Sequence, residues 1–300
     1  MTLTNKSHQS QHIALFGEVL IDQFPDGQHI LGGAPFNVAW HLQALGQLPY
    51  FISRVGTDAI GKQIHRAMTA WGMSVDGLQT DNEHPTGTVA VSFDQGEPHY
   101  EILADQAYDF IATPKQKPDS FCVIYHGTLA LRNDVSAHTL QSLIAKSQAK
   151  VFIDVNLREP WWNKATLVQW LNQAHWVKLN QAELMRLSPP AGTLPEQMRW
   201  LLSQHQLDAV IVTCGSAGAL ALTDTDELLT VAPAHALTVV DTVGAGDAFS
   251  AVLLLGLLHD WPLATTLQRA QAFASALVGQ RGATVQDLLF YQPFIADWSL

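Results

Sequence analysis

The stretch Leu237-Thr238-Val239-Val240-Asp241-Thr242-Val243-Gly244-Ala245-Gly246-Asp247-Ala248-Phe249-Ser250-Ala251-Val252-Leu253-Leu254 changes character twice. Residues 237–240 read as a strand and 248–254 as a helix. Between them lie small residues and two aspartates, Asp241 and Asp247. Gly244 to Asp247 thus falls at a helix N-terminus, where the first backbone N–H groups lack partners within the helix. The helix dipole adds roughly half a positive charge there. Small side chains let an anion approach those N–H groups. A phosphoryl group in transfer spreads negative charge over its oxygens, and such a cradle would stabilise it. Asp247 is the odd member, because a carboxylate beside an anion site is repelled unless it has a task. Two tasks fit its position. It can cap the helix, or it can orient an attacking hydroxyl and accept its proton.

Strand and helix patterns alternate through the rest of the chain. The near-continuous apolar run Ile13 to Ile21 predicts a strand covered on both faces. Phe121–Tyr125, Val151–Val155, Trp176–Leu179 and Ala209–Thr213 have strand length. Val38, Leu42 and Leu45 share a helix face that Gly46 ends; Ile64, Met68 and Trp71 repeat this before Gly72, and Leu140, Leu143 and Ile144 before Val151. This alternation predicts an α/β fold, a doubly wound, mainly parallel sheet with helices on both faces. Ligands bind such sheets at the carboxyl ends of the strands. Thr86 to Ile111 departs from the pattern. Thr88–Phe93, a turn Asp94-Gln95-Gly96-Glu97 and His99–Leu103 read as a β-hairpin, either a lid over a site or an edge extension of the sheet.

Composition narrows the partners. Only 14% of the 300 residues are charged, against about 25% in typical soluble proteins. The formal net charge of −11 disfavours nucleic acid and anionic lipid as partners. Residues 1–11 read as a disordered tail without an apolar signal segment, and no run reaches membrane-spanning length. A cytoplasmic protein without a membrane partner is expected. Cys122 and Cys214 lie in apolar runs and read as core residues.

Asp241-Thr242-x-Gly244-Ala245-Gly246-Asp247 before a small-residue helix resembles the C-terminal signature of the ribokinase-like (PfkB) carbohydrate kinases. Gly32-Gly33-Ala34-Pro35-Phe36-Asn37-Val38-Ala39 resembles that family's N-terminal signature, and Arg54-Val55-Gly56-Thr57-Asp58-x-x-Gly61 its next block. The resemblance runs from about His12 to the end. It implies one kinase domain over 12–300, with a small β lid from about 20–31 and 85–112, that uses ATP and Mg²⁺ to phosphorylate a hydroxyl of a small sugar. It casts Asp247 as catalytic base and Gly244, Ala245 and Gly246 as anion hole, with Gly246 also touching the nucleotide. Asn180-x-x-Glu183 matches a motif in which Asn180 would lie near the nucleotide phosphates and Glu183 would organise Mg²⁺ through water. The same pair reads as a helix cap with an acidic third residue. Thr213, Gly215 and Gly218 match the strand and turn beside ATP, although such glycines also suit an ordinary hairpin. Gly282, in Arg281-Gly282-Ala283, matches a late loop beside the adenine. Backbone oxygens of Asp241 and Val243 would hold a monovalent cation, K⁺. Lid strands pair two subunits in some relatives, which makes a homodimer an expectation.

For the acceptor, the resemblance implies that Asp22, Gly33 and Asn37 bind sugar hydroxyls; Asp22 also reads as a strand-terminal turn residue. Asp154-Val155-Asn156-Leu157-Arg158, with Trp161 and Trp162 following, resembles the fructokinase and 2-keto-3-deoxygluconate kinase branches. Arg158 could bind a substrate carboxylate, a nucleotide phosphate or Asp154. Gly32-Gly33-Ala34-Pro35 points to fructose, while Asp105-Gln106-Ala107-Tyr108-Asp109 has no assigned counterpart. No Lys or Arg occurs from Ile21 to Ser53, which disfavours a phosphorylated sugar. A nucleoside kinase shares this chemistry. A catalytically silent sugar-binding regulator would have little reason to keep Asp247 and the anion hole together. Gly56-Thr57-Asp58-Ala59-Ile60-Gly61-Lys62 has P-loop spacing, but Gln63 stands where a Mg²⁺-binding Ser or Thr is needed, so it reads as a turn and helix start.

Overall fold

The computed structural model describes residues 12–94, 97–115, 117–118, 120–234 and 239–300. The expected tail at 1–11, the turn at Gln95–Gly96 and the first half of the strand expected at 237–240 lie outside them. The elements begin with β1 (Ile13–Phe16), β2 (Leu20–Gln23), β3 (His29–Gly32), α1 (Ala34–Ala44), β4 (Pro49–Gly56), α2 (Ala59–Ala70) and β5 (Leu78–Asp81). Next come β6 (Gly87–Asp94), β7 (Glu97–Ile102), β8 (Val123–His126), α3 (Asp134–Ala145), β9 (Lys150–Asp154), α4 (Lys164–Leu171), β10 (Trp176–Asn180), α5 (Gln181–Leu187) and α6 (Leu194–His205). The chain closes with β11 (Ala209–Thr213), β12 (Ala219–Thr223), β13 (Leu228–Val231), α7 (Ala245–Leu258), α8 (Leu263–Leu277) and α9 (Gln292–Trp298).

The main sheet has the order β13-β12-β11-β10-β9-β8-β1-β4-β5. It is parallel from β11 to β5, and β12 and β13 add antiparallel strands at one edge. β1 is central, with Leu15 opposite both Phe51 and Tyr125, and all four of its residues are buried. That burial explains its continuous apolar sequence. Leu15, Phe36, Met68, Leu253 and Phe273 belong to the core on one face; Phe16, Leu140, Trp170, Leu184 and Met198 belong to the core on the other. The doubly wound sheet is therefore present, and its carboxyl edge is lined by the chain following β1, β8, β9, β10 and β11. No helix among the described residues is long and apolar enough to cross a membrane.

The strand expected over Ile13–Ile21 is instead two strands in two sheets. Gly17 makes the break: its φ is +150°, and a Cβ there would come within 2.6 Å of Pro35 Cγ. β2 joins a separate four-stranded sheet, β3-β2-β6-β7, where Asp22 lies opposite Ile30 and Val89. Asp22 therefore stands in the small sheet rather than at the end of a main-sheet strand. The hairpin β6–β7 belongs to this sheet, so it does not extend the edge of the main one.

The unassigned segment Asp105 to Asp109 anchors the base of the lid. Gln106 N donates to Asp109 Oδ2 at 3.0 Å, and Tyr108 is fully buried, its ring lying where a Cβ on Gly87 would go. Arg132 grips Asp109 through two bonds of 2.7 Å and donates to the Leu103 carbonyl at 2.6 Å. The P-loop lookalike is a helix start, with the Asp58 carboxylate accepting from Gly61 N at 2.8 Å.

The strand expected to lead into α7 is not formed in its described half. Val239 and Val240 are exposed, and the N–H groups of Val240 and Asp241 donate to the Val278 carbonyl at the end of α8. Loop backbone thus delivers the chain to α7.

Candidate active site

Gly244 is the N-cap of α7, with φ +79°. A Cβ there would lie 2.5 Å from Ala283, so only glycine fits both the conformation and the space. The first internal bond of the helix runs from Ala248 N to Gly244 O at 2.8 Å. The N–H groups of Gly246 and Asp247 precede it and are available to an anion. Asp247 does not cap the helix. Its Oδ2 accepts a hydrogen bond from Asn37 Nδ2 at 2.8 Å, which joins the two signatures across 210 residues. Desolvation raises the Asp247 carboxyl from 3.8 to about 6, even though the residue is only partly covered. The Asn37 bond and the charges of Lys178 and Arg158 oppose that rise, while Asp154 adds to it.

Asn37 comes from the first turns of α1, which Gly33 begins at φ +109°. A Cβ on Gly33 would lie 2.6 Å from the Glu18 carbonyl, so this glycine lets α1 start against the β1–β2 connection. Glu18 was not visible as a candidate. It is buried, and burial raises its carboxyl to about 7, with the backbone of Glu18 and Ala34 pulling the other way. The sequence signal was a Gly-Glu pair directly after a strand. Asp22 is half-buried, and desolvation raises it to about 6, with Arg158 pulling the other way. Arg158 is exposed, and its charge acts on the three carboxylates Glu18, Asp22 and Asp247. It does not hold Asp154. That carboxylate pairs with Lys178 at 2.8 Å.

On the other side of α7 the carboxyl ends of β10 and β11 meet two loops. Asn180 is the exposed cap of α5: its Oδ1 accepts from Glu183 N at 2.9 Å, and Glu183 Oε2 accepts from Asn180 N at 2.8 Å. Glu183 Oε1 accepts from Leu157 N at 2.7 Å. The helix-cap reading of this pair therefore holds. Each Glu183 oxygen retains a lone pair for a water. Thr213 ends β11, and Gly215 and Gly218 turn the chain into β12 at φ +57° and +93°. A Cβ on Gly218 would meet the Val231 carbonyl, whereas one on Gly215 would meet open space. Asp241 locks the last loop, with Oδ1 accepting from Val243 N at 3.0 Å and Oδ2 from Gly282 N at 2.9 Å. Among the described residues no three His, Cys, Asp or Glu side chains gather as a metal cage.

Asn37 and Asp247 are thus bonded to each other, and the charge of Arg158 acts on both Asp22 and Asp247, while Gly244 packs on Ala283 in the loop that Asp241 holds through Gly282. This arrangement can bind a polyol against carboxylate and amide groups and place one hydroxyl beside Asp247. A profile described as pfkB family carbohydrate kinase matches residues 7–288. The fructokinase of Klebsiella pneumoniae is 30% identical over 292 residues, covering 90% of this chain and 94% of its own. A fructokinase from Vibrio cholerae O395, solved with fructose, ADP and calcium ion, superposes with a TM-score of 0.80 at 26% identity, covering 94% of this chain and 98% of that one. A double mutant of that enzyme, with fructose, ADP and potassium ion, gives the same TM-score at 27% identity and the same coverage. Aminoimidazole riboside kinase from Salmonella enterica, at 24% identity and TM-score 0.80 over 91% of this chain and 95% of that one, shares the fold.

Proposed function

The chain belongs to the pfkB family of carbohydrate kinases and is an ATP-dependent sugar kinase, and we propose that its acceptor is fructose. The observation that carries the site assignment is the 2.8 Å bond from Asn37 to Asp247 above the start of α7. It sets a sugar-facing amide beside a carboxylate whose raised basicity suits a general base. The acceptor hydroxyl oxygen attacks the γ-phosphorus, a new O–P bond forms, the bond to the β–γ bridging oxygen breaks, and ADP leaves with that electron pair. Asp247 takes the hydroxyl proton. The Gly246 and Asp247 N–H groups face the transferring phosphoryl oxygens. Asp22, Gly33 and Asn37 orient the sugar. Bound MgATP supplies the phosphoryl group and neutralises part of its charge, and Glu183 would accept from a water on Mg²⁺. Asn180, Thr213, Gly215, Gly218 and Gly282 line the nucleotide side.

Fructose is favoured by the fructokinase relatives, one of which holds fructose and ADP. An acceptor bearing a carboxylate, such as 2-keto-3-deoxygluconate, is the second reading. Exposed Arg158, left without the Asp154 pairing, favours it. A coupled ADP-release assay over fructose, other ketohexoses, 2-keto-3-deoxygluconate and adenosine separates these readings. Fructose is expected to give the highest kcat/KM, and turnover confined to another acceptor overturns the choice.

The Asp241 latch between Val243 and Gly282 suits a backbone site for K⁺. Turnover in potassium is expected to exceed turnover in a bulky organic cation at equal ionic strength. Equal rates remove the cation from the reading.

A further inference from the structure

Lys178 interrupts the apolar strand β10 and is buried, its side chain 7% exposed. Its Nζ donates to Asp154 Oδ2 at 2.8 Å and to the Gly246 carbonyl at 3.1 Å. Asp154 Oδ2 also accepts from Ser250 Oγ at 2.8 Å and Tyr125 OH at 3.2 Å. The cluster thus ties β8, β9, β10 and the first turns of α7 together directly beneath the helix start. A Cβ on Gly246 would sit 3.0 Å from the ammonium. Packing alone does not ask for a lysine here, because an apolar residue would fill β10 at a lower desolvation cost.

The Gly246 carbonyl and the Asp247 N–H belong to one planar peptide and point in opposite directions. An ammonium that holds the oxygen from below therefore sets the aim of the N–H above. We propose that Lys178 is a positioning residue for phosphoryl transfer: braced by Asp154, it holds the Gly246 carbonyl and so fixes the Gly246–Asp247 peptide against the transferring phosphate. The proposal rests on the reading of Asp247 and the α7 start given above.

The charged and titratable groups acting on Asp247 are Glu18, Tyr125, Asp154, Arg158 and Lys178. Among them Lys178 lowers the Asp247 carboxyl and Asp154 raises it. Removing each should therefore move the acid limb of kcat in opposite directions, up in pH for Lys178→Met and down for Asp154→Asn. The shifts check that both charges act on Asp247, whereas a fall in kcat at unchanged fructose affinity is the readout a purely structural lysine would not give. Lys178→Met is expected to lower kcat by about 100-fold, the scale of one lost transition-state donor, with fructose affinity by tryptophan fluorescence within about threefold. Turnover within about threefold of the wild type and an unmoved acid limb overturn the proposal. Lys178→Met strands a buried carboxylate and can fail to fold. The Asp154→Asn/Lys178→Met double variant removes the pair whole, and then a folded slow enzyme supports the proposal and a folded fast one overturns it. Wild-type turnover by Asp247→Asn would defeat the underlying reading instead, so the two failures are told apart.

Discussion

Asp247→Asn is expected to lower kcat by about 10³-fold while fructose affinity changes by less than about threefold. The substitution keeps the volume and one oxygen to accept the 2.8 Å bond from Asn37, so the sugar pocket retains its shape. What it loses is basicity. With the carboxyl raised to about 6, Asp247 is ionised at neutral pH and is more basic than an ordinary carboxylate. Wild-type kcat should accordingly fall as pH drops through about 6, with the slope of one proton, and the variant should lack that limb. Near wild-type turnover in Asp247→Asn would refute the role.

The same shift has a stability consequence of opposite sense. Asp247 is a carboxylate whose folded value, about 6, lies above its ordinary 3.8. The unfolded chain gives up this proton first as pH rises, so the contribution to stability is full below 3.8 and is lost by about 6. Asn carries no charge to desolvate. Asp247→Asn should therefore be more stable than the wild type at pH 7, and the difference should shrink as pH falls from about 6 to about 4 in denaturant titrations. Lower activity with higher stability is the outcome expected of a carboxylate held for chemistry rather than for folding.

Much of this site could be read in the sequence because its residues break local rules. Gly33 and Gly244 stand where φ is positive and a Cβ would strike backbone, at the Glu18 carbonyl and at Ala283. Asn37 and Asp247 are polar residues in helices that are otherwise almost wholly buried. Two features hid for physical reasons. Val19 and Leu20 are buried on the far side of the Gly17 break, so the apolar run continues although the chain changes sheets. That placed Asp22 on the wrong strand. The Lys178–Asp154 pair depends on parallel register between β9 and β10, which no spacing along the chain reveals. A lone lysine in an apolar strand was the available signal, since a buried charge must be paired. Val239 and Val240 misled in the other direction: their β-branched character suggested a strand, whereas Val240 hydrogen-bonds the end of α8.

Gly244→Ala is expected to cost about 100-fold or more in kcat, the scale of a damaged oxyanion site, and Gly282→Ala far less. Both glycines have similar backbone, φ +79° and +84°, so both substitutions carry about 1–2 kcal/mol of left-handed strain. Their surroundings differ. A Cβ on Gly282 meets nothing within 4 Å, and its N–H bond to Asp241 is a backbone bond that the substitution keeps. A Cβ on Gly244 would lie 2.5 Å from Ala283. The loop carrying Ala283 cannot easily yield, because His41 Nε2 donates to the Ala283 carbonyl at 3.0 Å and Trp40 Nε1 to the Val285 carbonyl at 3.0 Å. Both donors are buried in α1, the helix that also holds Asn37. The start of α7 would have to move instead, carrying the Gly246 and Asp247 N–H groups away from the phosphate. Measured side by side, the two variants separate conformational strain from displacement of the cradle. Equal losses of kcat would show that strain alone governs both, and that the close fit of Gly244 to Ala283 has no part in aligning the phosphoryl group.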